Sequence, residues 1–191
     1  MRRLLLAASL LSAPMVAFTP AVAYQRGGGA ANPDALIQQD FQKRIDAYIT
    51  LRTNAVKGIG PLKPTANPAE IRAGQDALAE RITAARSDAK PGDIFTPEIR
   101  QRFRALLAPH LKGEDGRDAK AIVKDDVPPA VPFKVNAPYP EGKPLPTVPA
   151  TLLLNLPPLP RQIEYRIVDK HLILRDTEAN LIVDYMLNAI R

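Results

Sequence analysis

The sequence predicts an α+β protein: an N-terminal unit of three to four helices, a Pro-rich extended region and a small C-terminal antiparallel β-meander. Three observations lead there. Apolar residues recur at spacings of three and four between residues 33 and 107, the period of one helix face. Eleven of the twenty prolines then fall between Pro128 and Pro160. A missing N–H and a fixed φ exclude helix interiors and long central strands from that stretch. Finally, residues 163–185, IEYRIVDKHLILRDTEANLIVDY, alternate apolar and polar with no proline or glycine. The chain therefore divides into residues 1–23, 24–32, 33–126, 127–162 and 163–191.

Residues 1–23 read as a secretory signal peptide. Arg2 and Arg3 precede the apolar run LLLAASLLSAPMVAF, and Ala21-Val22-Ala23 is a small-x-small cleavage signal. The run is short and broken by Pro14, which does not suit a transmembrane span. The expectation is a periplasmic or secreted chain, cleaved after Ala23, with no transmembrane segment left. Residues 24–32, rich in Gly and Ala, form a flexible lead.

The first helix is expected from Pro33 to Lys57, capped by Asn32, with Ile37, Phe41, Ile45, Tyr48, Ile49 and Val56 on its apolar face. The second starts at Asn67-Pro68-Ala69-Glu70, a cap followed by proline at the first helical position and an acid at the third. Ile71, Leu78 and Ile82 form its stripe. The third starts at Thr96-Pro97 and places Ile99, Phe103, Leu106 and Leu107 on one face, with Pro109 ending or kinking it near His110. A weaker helix is expected over residues 118–124. VPFKVN and ATLLLNL are the two candidate strands of the Pro-rich region, and the rest should be an extended arm lying against the fold.

In the C-terminal segment Asp169-Lys170 has the length of a two-residue hairpin loop. Asp176 opens a longer turn in which Asn180 takes positive φ. The helices should pack on one sheet face through Leu172, Leu174, Leu181 and Val183. Glu164, His171, Arg175 and Asp184 then fall at ordinary strand positions outside the core.

Composition narrows the chemistry. The chain has no cysteine, so disulfides and thiolate metal sites are excluded. The net charge of +6 allows weak attraction to anionic surfaces. With aromatics at 5% and an export signal, nucleic acid is disfavoured. After Ala23 the only serine is Ser87, at a helix end without a nucleophile elbow. His110 and His171 lack a neighbouring ligand at metal-binding spacing. The acids of EDGRD (114–118) and DTEAN (176–180) read as turns, not calcium loops.

The C-terminal pattern resembles one seen in a group of uncharacterised exported bacterial proteins. It is carried by LPPLP (156–160), EYRIV (164–168), HLILRD (171–176) and ANLIVDYMLNAI (179–190). More remotely, the last thirty residues are similar to the C-terminal hairpins of small periplasmic proteins of the RcnB type. The first resemblance implies export but no assigned activity. The second implies metal or stress handling in the periplasm. Neither brings a catalytic residue.

The resulting expectation is a non-enzymatic binding protein of the periplasm or envelope, with no catalytic residue, cofactor or metal ligand set assigned. Enzyme activity is left open. The alternatives are an envelope hydrolase using carboxylates and His171, or a periplasmic metal-stress binder. The candidate contact surface is basic: Arg100 and Arg104 on the third helix, with Arg44 and Arg52 on the first. It would meet another envelope protein or an anionic envelope surface.

Overall fold

The computed structural model describes residues 32–57, 65–112, 116–117, 121, 133–139 and 150–190. The expected signal peptide, the lead up to residue 31, and the arm at 140–149 lie outside them. So does all of the expected 118–124 helix except residue 121.

The helices start where cap chemistry places them. Helix α1 spans Pro33–Lys57, and Asn32 accepts the Asp34 N–H through its side chain. Helix α2 spans Pro68–Ala85, and the Asn67 side chain accepts the Ala69 N–H. Helix α3 spans Pro97–Leu107 with Thr96 as its cap, then tightens into a 3₁₀ turn over Ala108–Leu111. Proline as the first helical residue costs nothing in each case, because that N–H has no partner within the helix.

Strands β1 (Ile163–Val168), β2 (His171–Asp176) and β3 (Leu181–Met186) form the expected antiparallel meander in the order β1-β2-β3. Asp169 and Asn180 both hold positive φ in the two turns. The pairing of β2 with β3 shifts between Leu174 and Arg175: Leu174 faces Asp184 while Arg175 faces Ile182. Val183 is therefore an extra residue on β3, a β-bulge.

One sheet face carries the helices. Ile163, Tyr165, Ile167, Leu172, Leu174, Leu181, Val183 and Met186 join the core formed by the three helices. At its centre Phe103 meets Phe41, Phe95 and Tyr165 at ring-centroid distances of 4.9, 5.5 and 6.0 Å. Burying each such ring stabilises the fold by roughly 1.5–3 kcal/mol. The other sheet face carries a smaller cluster of Val168, Ile173, Ile182 and Tyr139, flanked by Phe133 and Tyr185.

Three local expectations are corrected. ATLLLNL begins as a short helix, α4 (Ala150–Leu153), not a strand; a short apolar run carries no period that separates the two. The described part of VPFKVN turns at Val135 and Asn136, and Asn136 adopts φ 63°. The chain then lies along the free edge of β3: Asn136 and Tyr139 donate to the Ile182 and Asn180 carbonyls, and Ala137 accepts from Ile182. Pro138, which has no N–H to offer, sits between them in a single bridge to Leu181. Third, Ile71 is exposed rather than part of the α2 stripe, because the first turns of α2 stand clear of the core.

Candidate functional site

Two aspartates lie fully buried between the helices and the sheet, and the bulge explains one of them. Strict alternation along β3 would put Asp184 on the face of Ile182. The extra residue Val183 turns Asp184 inward instead, opposite Leu174. There its Oδ1 accepts the Gly92 and Tyr185 N–H groups at 2.9 and 2.8 Å. Its Oδ2 accepts the Ile94 and Phe95 N–H groups, both at 2.8 Å. One carboxylate thus replaces water for the loop between α2 and α3. Gly92 holds φ 94° in that loop, and a Cβ there would meet the Arg100 guanidinium at 3.0 Å. Asp184 is not the solvated strand residue the alternation suggests.

Asp176 closes its own turn, as expected, by accepting the Glu178 and Ala179 N–H groups through Oδ1. Its Oδ2 also accepts from the Tyr48 hydroxyl at 3.0 Å and from Arg52 Nε at 2.7 Å. Arg52 is only 6% exposed, and its other end pairs with Glu178. Burial works against the Arg52 charge, but Asp176 and Glu178 outweigh it and hold the guanidinium above its ordinary pKa. Burial, reinforced by Asp176, pushes the Tyr48 hydroxyl far up, so it stays a proton donor. Arg86 stacks over the Tyr48 ring at 5.3 Å and donates to the Val183 carbonyl; burial lowers its pKa.

This array has the residue types of an active site but not its freedom. The Asp176 and Asp184 oxygens are saturated. Arg52 therefore leaves the proposed basic surface: it is a core ion pair, not a contact residue. The other three arginines are half-buried; Arg44 and Arg104 are bound at home, whereas the buried Arg100 Nε has no hydrogen-bond partner among the described residues. Arg44 pairs with Asp40 and donates to the Asp93 carbonyl. Arg104 donates to the Leu187 and Asn188 carbonyls and so ties down the C-terminal tail. Arg100 lies against Gly92.

The histidines stay apart, with no bond or ring contact joining them among the described residues. His171 accepts the Asn188 N–H on Nδ1 and packs edge-on against Phe133; burial lowers its pKa. His110 sits in the 3₁₀ turn. Among the described residues no group of three His, Asp or Glu stands close enough to hold a metal ion. No described helix is long and apolar enough to cross a membrane.

Among the described residues, one uncommitted feature is a groove of about 710 Å³ between α2 and the outer edge of the sheet. Its α2 wall presents Asp76, Ala79, Glu80 and Thr83. The facing wall is built from Asn136, Pro138 and Tyr139 on the bridged segment, with Asn180 and Leu181 at the start of β3. The left-handed turns at Asn136 and Asn180 fix that wall, and the Asn180 side chain donates to the Tyr139 carbonyl. Asn136 donates its NH₂ to the Arg86 carbonyl, which sets its amide orientation and leaves the buried Oδ1 without a donor. Sequence reasoning missed the groove because its facing wall depends on how residues 136–139 meet β3, which no periodicity encodes.

No family profile matches the chain, and no curated protein or solved structure shows significant similarity to it.

Proposed function

We infer that the chain is an exported, non-enzymatic binding protein of the periplasm or envelope, and that its contact site is the groove beside α2. The observation that carries this reading is the division of polar groups. Those with catalytic character, Tyr48, Arg52, Asp176 and Asp184, are spent on holding the helices to the sheet. The groove is open and lined by apolar, amide, hydroxyl and carboxylate groups. Such a lining supports a binding role for the groove.

The test is capture from envelope extract by the purified chain, identification of the partner, and reconstitution from two purified components. The variant Ala84→Trp fills the groove from an exposed helix position. Loss of the reconstituted complex in this variant, with circular dichroism unchanged, is the expected result. A complex indifferent to the tryptophan, or no partner above background, removes the reading.

A further inference from the structure

We propose that the groove beside α2 binds an extended peptide segment carrying Lys or Arg at alternate positions. The proposal rests on the reading of the chain as a binding protein and names the class of its ligand. Asp76 and Glu80 are both exposed on the groove wall, one helical turn apart. Neither side chain makes an ion pair or hydrogen bond among the described residues. No basic residue lines the groove among those residues. The chain as a whole carries a net charge of +6, which becomes +4 once Arg2 and Arg3 leave with the expected signal peptide. The α2 wall of the groove is thus negative on a positive protein, while Arg175 bonds to the Asn180 Oδ1 on the facing wall; a cationic ligand is favoured along the α2 wall.

Spacing sharpens the ligand. Four residues of helix advance about 6 Å, close to the roughly 6.6 Å between alternate residues of an extended chain. Two cationic side chains on one face of a strand therefore meet Asp76 and Glu80 together. Between the carboxylates and the facing wall the trough is shallow and apolar, formed by Ala79, Pro138 and Leu181. Gln75 and Thr83 supply amide and hydroxyl groups for a peptide backbone. A compact inorganic cation would use none of that wall.

The experiment is fluorescence anisotropy of the purified chain with a labelled octapeptide of alternating Lys and Ala. A Glu–Ala octapeptide is the charge control and spermine the competitor. The Lys–Ala peptide should bind and the Glu–Ala peptide should not. At low salt the double variant Asp76→Asn/Glu80→Gln should weaken binding about five- to tenfold, as two exposed ion pairs allow. The same pair of changes at Glu70 and Asp88, outside the groove, should leave affinity within about twofold. Equal binding of both peptides, equal loss in the control variant, or displacement by equimolar spermine would overturn the proposal. If the Lys–Ala peptide fails while a reconstituted partner is still lost with Ala84→Trp, the ligand class falls and the binding reading stands.

Discussion

The fold treats its carboxylates in opposite ways on the sheet-facing and solvent-facing sides of its helices. Toward the sheet, Asp176 and Asp184 are fully buried, and every oxygen accepts two hydrogen bonds. Toward solvent, Asp76 and Glu80 have no partner among the described residues. A buried carboxylate is tolerated only when its hydrogen bonds are complete, so the inner pair is structural by necessity. The outer pair costs nothing to leave open, and only there can a ligand gain by arriving. Acid residues are thus sorted by saturation, not by residue type.

The sharpest way to break that contrast is to unsaturate Asp184. Asp184→Ala leaves three loop N–H groups and that of Tyr185 without acceptors in a closed interior. The expected loss is about 3–5 kcal/mol in chemical denaturation, since each buried orphan donor costs roughly 1–3 kcal/mol before relaxation. Asp184→Asn should be nearly as damaging. Both oxygens accept, so an amide NH₂ in either position points a donor at donors. Full stability in the asparagine variant would show that water, not the carboxylate, serves the loop.

Arg52 comes next. Arg52→Met strips Asp176 of its charge partner and should cost about 3–5 kcal/mol, most of it from the carboxylate left buried. The double change Arg52→Met/Asp176→Asn should recover part of that loss, because the orphaned charge is gone. The recovery stays partial, since the asparagine keeps an acceptor for the turn but offers poorer geometry to Tyr48. A double variant no more stable than the single one would mean that the pair contributes through packing alone.

Both residues show where legibility in the sequence ended. Helix starts were readable at Asn32, Asn67 and Thr96, because cap and proline act locally. The meander was readable at Asp169, because Asp169-Lys170 has the length of a hairpin loop, and at Asn180, because few residues take positive φ. Arg52 misled because charge was read as exposure. It follows Tyr48 by four and Ile45 by seven, squarely on the apolar stripe, and an arginine there requires a buried acid to meet it. Asp184 misled because alternation was counted through a bulge. The only trace was Leu181-Ile182-Val183, three apolar residues in a row before the acid, where strict alternation expects a polar one. The groove left no trace, because it arises from a contact between α2 and a segment more than fifty residues away.

The smallest expected effect lies on the other sheet face and depends on pH. His171 is half-buried, and burial lowers its pKa from the ordinary value of 6.5. Its Nδ1 accepts the Asn188 N–H at 3.0 Å, so that nitrogen is unprotonated in the fold. Asp169 draws the proton back and Lys170 opposes it, both weaker than burial. Below pH 6.5 the unfolded chain therefore binds the proton more readily than the folded one. Stability should decline as pH falls from 6.5 toward the folded pKa and level off beneath it. His171→Asn offers a non-titrating side chain and should flatten that part of a melting-temperature profile while leaving the value at pH 8 little changed. The Glu164 carboxylate is distinguishable. Burial disfavours its charge, but Arg166 and Arg175 prevail and lower its pKa, so its contribution is lost only at more acid pH. A decline between pH 6.5 and 5 that persists in His171→Asn would assign the sensitivity to a group other than this histidine and sever the tail contact from the pH response.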